Sequence, residues 1–229
     1  MATPSVIERL TAAAFELFDE RGYEHSTVDD IAERAGVGRT TFFRAFSSKE
    51  DVILPDHHVV LGAVKARLAT STQETALVAV SEGARLVLKQ YLKEGDLARR
   101  RYMLTSNVPA LRDREVASMQ QYQRVFREFI HGWMGGDPES GLRAELMATS
   151  VITAHNYVLR RWLRGLTQQP EAEFDTAMAD VIELFADAGA GSPEGEASVV
   201  ILRTTRQLDA MIPSLRKFLG SSEPARSHQ

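Results

Sequence analysis

The chain has 229 residues, 44% hydrophobic and 25% charged, the composition of an ordinary soluble globular protein with enough length for a sizeable core. It contains no cysteine, which excludes disulfides, thiolate catalysis and thiolate metal sites and suits a reducing cytoplasm. A net charge of −4 excludes a surface that is basic all over, so any nucleic-acid contact is confined to a local patch. No run of about 18 apolar residues is present to span a membrane, and MATPSVIERL lacks the apolar core of a signal peptide.

In chain order, Ser5 to Arg21 reads as a first helix. Val6, Ile7, Leu10, Ala14, Leu17 and Phe18 form its apolar stripe, and Gly22 ends it. The stretch TVDDIAERAGVGRTTFFRAFSSK, Thr27 to Lys49, follows. Thr27 and Asp30 have the spacing of a capping box at the start of a second helix. Val28, Ile31, Ala32 and Ala35 give that helix an apolar face, and Gly36 supplies the turn that ends it. A third helix, Arg39 to Phe46, turns Phe42 and Phe46 inward and leaves Arg39, Thr40, Phe43 and Arg44 outside. Two short helices joined by a glycine turn, with a small Ala32 and a bulky Phe42 between them, form a helix-turn-helix. The first fifty residues carry six Lys/Arg against nine Asp/Glu, yet Arg34, Arg39, Arg44 and Lys49 define a stretch without acids. The positive patch therefore coincides with the third helix and its flanks.

Ser48 and Asp51 suggest the cap of a fourth helix, with Lys49 at an N-terminus that attracts anions. Pro55 is expected to break it at Leu54–Pro55, with resumption over Asp56 to Ala69. Further helices are expected over Thr75–Leu92, Asp96–Ser106 and about Ala110–Met134, closed by Gly135–Gly136. Asp137–Pro138 reads as the start of a long helix to Gly165, and Pro170 opens another with Phe174, Met178, Val181, Ile182 and Phe185 as its stripe. Residues 188–198 are rich in Gly, Ser and Pro and read as a linker. An amphipathic helix over about 199–219 and a disordered tail follow. No segment alternates long enough for a strand. The fold class is all-α with about ten helices: a helix-turn-helix domain over 1–49, a ligand-binding and dimerisation domain over 50–219, and a tail over 220–229.

The words TVDDIAERAGVGRTTFFRAF and SSKED, after a first amphipathic helix, resemble the N-terminal signature of the TetR family of bacterial transcriptional regulators. The resemblance covers about residues 5–55. It implies a homodimer on a palindromic double-stranded DNA operator and a small-molecule ligand in the C-terminal domain. Ligand binding shifts the two heads through the fourth helix and releases the operator, with activators also occurring in the family. It implies that Thr27 and Lys49 meet phosphates and that Arg39, Thr40, Thr41 and Arg44 lie in or beside the major groove. Phe43 stands where the family usually has tyrosine. Without a hydroxyl its contact is apolar, to a thymine methyl or a sugar.

The ligand is expected among Tyr91, Tyr102, Met103, Met119, Tyr122, Phe126, Asn156 and Tyr157, an adaptable apolar set with a few polar groups. Arg99–Arg101, Arg112, Arg114, Arg124 and Arg127 are either solvent-facing charge or a site for an anionic ligand, so the ligand reads as apolar or anionic. Asp56, His57 and His58 look like a metal cluster, but adjacent helical residues point about 100° apart and cannot all face one ion. No metal or other cofactor is expected. His25, His131 and His155 belong to no nucleophile or carboxylate constellation, so an enzyme is not expected. The alternative to a regulator is an all-helical ligand-binding or adaptor protein whose acidic head does not bind DNA. The wide apolar arc of Leu142–Leu163 and the stripe of the helix after Pro170 predict a dimer interface over about 138–165 and 170–188.

Overall fold

The computed structural model describes residues 4–54 and 57–185. Nine α-helices and one short 3₁₀ turn lie among these residues, with no strand, as the all-α reading expects. They are α1 (Val6–Arg21), α2 (Val28–Arg34), α3 (Arg39–Ala45), the 3₁₀ turn Glu50–Val52, α4 (His57–Ala69), α5 (Ala76–Glu94), α6 (Asp96–Asn107), α7 (Pro109–Trp133), α8 (Gly141–Leu163) and α9 (Pro170–Leu184). The expected helix over 199–219, the linker before it, the tail and Pro55 itself lie outside the described residues.

α1 starts where Ser5 accepts a hydrogen bond from the Glu8 amide while Glu8 returns one to Ser5, a complete capping box. Its stripe packs as expected except for Ile7, which is 55% exposed, and it adds a fully buried Phe15. α2 ends in a Schellman motif. The Gly36 amide donates to the Glu33 carbonyl at 3.0 Å and the Val37 amide to Ala32 at 2.9 Å. Gly36 has φ 66°, a conformation that side chains with a Cβ resist. This turn delivers α3 across α1 and α2 with Phe42 fully buried. One core cluster joins α1, α2 and α3 to Val52 and Ile53 and to Leu111 of α7.

The second cluster lies between α4, α5, α7, α8 and α9. α7 packs on α8, α8 on α9, and α4 on α5. Gly83 lets two elements close in: a Cβ there would stand 3.2 Å from the Phe126 ring and 3.4 Å from Val64.

Two expectations are corrected. The fourth helix does not open at Ser48. The Asp51 amide reaches Ser48 Oγ at 3.4 Å, but only one 3₁₀ turn forms, because Val52 and Ile53 are drawn into the head core; α4 begins at His57. The helix expected from Asp137–Pro138 starts at Gly141. Asp137 instead closes a separate turn by accepting the Ser140 amide at 2.8 Å. The wide apolar arc of α8 is only partly taken up by the core: Leu142 is 71% and Leu146 53% exposed, and on α9 Leu184 is 74% exposed.

Candidate nucleic-acid interface and ligand cavity

The helix-turn-helix presents one outward face. Arg39, Thr40, Phe43 and Arg44 are exposed on α3, and Thr41 is half-buried beside them. Phe43 stacks edge-on against Phe42, ring centroids 5.4 Å apart, and remains 46% exposed. The Arg39 guanidinium sits 5.1 Å over the Phe43 ring and donates to Asp29 at 2.6 Å, so an acid of α2 and an aromatic of α3 set its orientation. Thr27 caps α2. Its hydroxyl accepts from the Asp30 amide at 3.2 Å and donates to the Asp30 carboxylate at 2.6 Å, and Arg21 pairs with that carboxylate at 2.8 Å. The Thr27 hydroxyl, the Thr27 amide and then Arg21 hold the Asp30 carboxyl down at about 2.

The four basic residues that defined the positive stretch differ in what they do. Arg34 pairs with Glu20 at 2.7 Å and Glu16 at 3.4 Å and so staples α2 to α1. Lys49 donates to the carbonyls of Tyr23 at 2.8 Å and Ser26 at 3.0 Å, with its ammonium 3.9 Å over the Tyr23 ring. Arg39 is held by Asp29. Only Arg44 has neither an ion pair nor a hydrogen bond among the described residues. Nothing local in the sequence signals these pairings, since they join positions 10 to 26 apart.

In the second core cluster a small cavity of about 30 Å³ lies between α4, α5, α7 and α8. Tyr91, Met119, Tyr122, Phe126 and Asn156 line it, as do His57, Ala84, Val87, Glu115, Ile152, His155 and Leu159. Of the expected ligand residues, Tyr102, Met103 and Tyr157 lie elsewhere. Met103 is 61% exposed, Tyr102 accepts from Arg164 at 2.8 Å, and Tyr157 stacks under Arg161 on the outside of α8. Helical spacing placed them near the middle of the bundle without saying which side faces α7. His57 is placed toward the bundle: its Nδ1 is 3.2 Å from the Tyr122 hydroxyl, the rings edge to face, while His58 is exposed. Asp56 is outside the described residues, and no cluster of three metal-ligating side chains occurs among those described.

His155 and Asn156 divide the polar work at the α8 wall. The Asn156 amide nitrogen contacts Met119 Sδ at 3.5 Å, and its oxygen accepts from His155 Nδ1 at 3.1 Å. The hydrogen is thereby placed on Nδ1, leaving Nε2 as an acceptor. Burial lowers the His155 pKa to about 4, against the opposing bond from Asn156, so the ring is neutral near pH 7. Burial, and then the nearby Glu115 carboxylate, push the Tyr91 hydroxyl well above the ordinary phenol range, so it stays protonated. The arginines of the middle segment stand apart from the cavity. Arg99 pairs with Asp96, Arg100 with Asp19, Arg101 with Glu94, Arg114 with Asp51 and Arg127 with Glu145, while Arg112 holds the Ser106 carbonyl. Arg124 is exposed, and none of the seven is among the lining residues.

An all-helical chain whose helix-turn-helix head sits on a helical body with an internal cavity is a DNA-binding transcriptional regulator. The family model of bacterial regulatory proteins of the tetR family matches residues 10–54. The HTH-type transcriptional regulator TcmR of Streptomyces glaucescens is 31% identical over 192 residues, covering 79% of this chain and 84% of TcmR. This chain belongs to the tetR family. The fold is shared with Thermus thermophilus FadR, a transcriptional repressor solved with lauroyl-CoA (TM-score 0.51, 22% identity, 85% of this chain and 100% of that one). It is shared also with SmeT, the repressor of a Stenotrophomonas maltophilia efflux pump, in its complex with triclosan (TM-score 0.57, 14% identity, 79% and 91%). No helix among the described residues is long and apolar enough to cross a membrane.

Proposed function

We propose that the chain is a cytoplasmic repressor, not an enzyme, that leaves a palindromic operator when a small molecule fills the cavity. Residues 1–49 meet DNA, and 50–219 bind the ligand and the partner copy. One observation carries it: α7 serves both parts. Glu115, Met119, Tyr122 and Phe126 line the cavity, while Leu111 is buried in the head core and Arg114 pairs with Asp51 and Ser48. A helix that shifts to admit a ligand thus carries the head with it, which couples the two sites. Lauroyl-CoA in Thermus thermophilus FadR and triclosan in SmeT support a body that admits apolar molecules.

On the DNA side, Arg44 is the unencumbered cation, with Thr40 and Thr41 beside it for base edges or phosphates. Arg39 is aimed by Asp29 and Phe43, Phe43 offers an apolar contact, and Thr27 and Lys49 flank the face toward phosphates. Arg44→Ala is expected to weaken operator binding by roughly 1–3 kcal/mol and to reduce its salt dependence. A gel shift with DNA from beside the protein's own gene, repeated over a salt series, reads both. Absence of any salt-sensitive specific shift by the wild-type protein overturns the reading.

Leu142, Leu146 and Leu184 leave apolar surface outward on α8 and α9, which supports a four-helix interface with a second copy. Leu146→Glu places a charge at that seam and is expected to convert dimer to monomer, read by light scattering at micromolar concentration. A monomeric wild-type protein would sink the interface.

A further inference from the structure

We infer that the cavity selects an aromatic molecule that carries a hydrogen-bond donor and no negative charge. This rests on the proposed role of the cavity as the ligand site and adds the class of ligand to it. Three features of the wall point the same way.

The first is shape and polarisability. Tyr91, Tyr122 and Phe126 offer rings, and the Met119 thioether can lie against a ring edge or face. Such a wall suits a flat, polarisable body, which enters as the shift of α7 widens the small cavity.

The second is charge. Glu115 is the one carboxylate among the lining residues, and no lysine or arginine is among them. Its carboxylate has no ion pair or hydrogen bond among the described residues. The nearby arginines are occupied by Asp and Glu side chains or by carbonyls. A ligand carboxylate or phosphate would meet a like charge in a partly desolvated space, with no cation to offset it.

The third is hydrogen-bond polarity. His155 Nε2 is buried and has no hydrogen-bond partner, and Asn156 fixes it as an acceptor by accepting a hydrogen bond from Nδ1–H. Buried acceptors without partners are uncommon and favour whatever donor reaches them. Glu115 on α7 is a second acceptor in the lining. A hydroxyl on an aromatic ring satisfies either, and the protonated Tyr91 hydroxyl can donate in return.

The test is a matched series of β-naphthol, its methyl ether and β-naphthoate, titrated calorimetrically into the full-length protein. β-Naphthol is expected to bind about tenfold tighter than the ether, the worth of one buried hydrogen bond, and β-naphthoate is expected to bind weakest. In His155→Leu the affinity for β-naphthol falls toward that of the ether, while the ether, which gives no hydrogen bond, keeps its affinity. Equal binding of naphthol and ether by the wild-type protein, a preference for naphthoate, or no binding of any of the three overturns the inference. The wild-type series decides this even if the variant folds poorly. A gel shift run alongside separates the two readings. A protein that binds its operator but shows no hydroxyl preference defeats the ligand class alone. A protein that prefers β-naphthol yet holds its operator unchanged defeats the gating reading and leaves the ligand class standing.

Discussion

Phe42→Ala is expected to unfold the DNA-binding head and abolish operator binding. Phe42 is fully buried, with its ring 5.4 Å from that of Phe43 and 5.8 Å from that of Phe46. It fills the space where α3 crosses α1 and α2. Truncating a buried phenylalanine costs about 3–5 kcal/mol, because the lost transfer energy is joined by a cavity that the surroundings close only in part. That is a large share of the 5–15 kcal/mol by which a whole domain is usually stable. Phe42 packs in one core cluster with Phe15, Phe18, Leu10, Ile31 and Ile53, so the void falls at the centre of the head. Phe42→Leu keeps most of the volume and is expected to cost about 1.5 kcal/mol or less. Thermal melts followed by circular dichroism, with a gel shift on the same samples, read the difference. An alanine variant with wild-type melting and DNA binding would mean that α3 is not anchored through this ring.

Arg101→Met is expected to be the next most damaging change. Arg101 is 5% exposed, pairs with Glu94 at the end of α5, and donates to the Ile53 carbonyl just after the 3₁₀ turn. It therefore joins head to body as well as satisfying a carboxylate. Removing one partner of a buried pair costs about 3–5 kcal/mol, because the other is left charged and desolvated. If that is the cause, Arg101→Met combined with Glu94→Gln is expected to be less destabilised than Arg101→Met alone, since no orphaned charge remains. Urea unfolding of the single and double variants measures this, and a double variant worse than the single would assign the loss to the Ile53 contact instead.

Much of the fold follows from local chemistry. The Thr27–Asp30 box, the Gly36 turn and the apolar faces of α1, α2 and α3 are visible in the residues, because caps and turns depend on neighbours within four positions. α5, α6, α7 and α9 begin and end within a few residues of expectation for the same reason. The miss at α8 is also local: Asp137–Pro138 satisfies the rules for a helix start, yet a separate turn uses the aspartate first. At Ser48 a tertiary demand prevails, since burying Val52 and Ile53 bends the chain away from a regular helix.

The candidate sites divide along the same line. The stretch Thr27–Lys49 by itself determined a helix-turn-helix, its outward residues and, through its resemblance, the family, because that motif is built from short-range contacts. Which cation on it is free was decided only when α1 brought Glu16 and Glu20 to Arg34, α2 brought Asp29 to Arg39, and the loop carbonyls took Lys49. Periodicity told that Tyr91, Met119, Tyr122 and Phe126 face inward, since a stripe records one buried side. It does not record which helix lies opposite. The packing of α7 and α8 alone gathered Glu115 and His155 into the cavity and left Tyr102, Met103 and Tyr157 outside it. Charge pairing and cavity walls are sums over residues far apart in the chain, so their outcome is settled by how the helices pack.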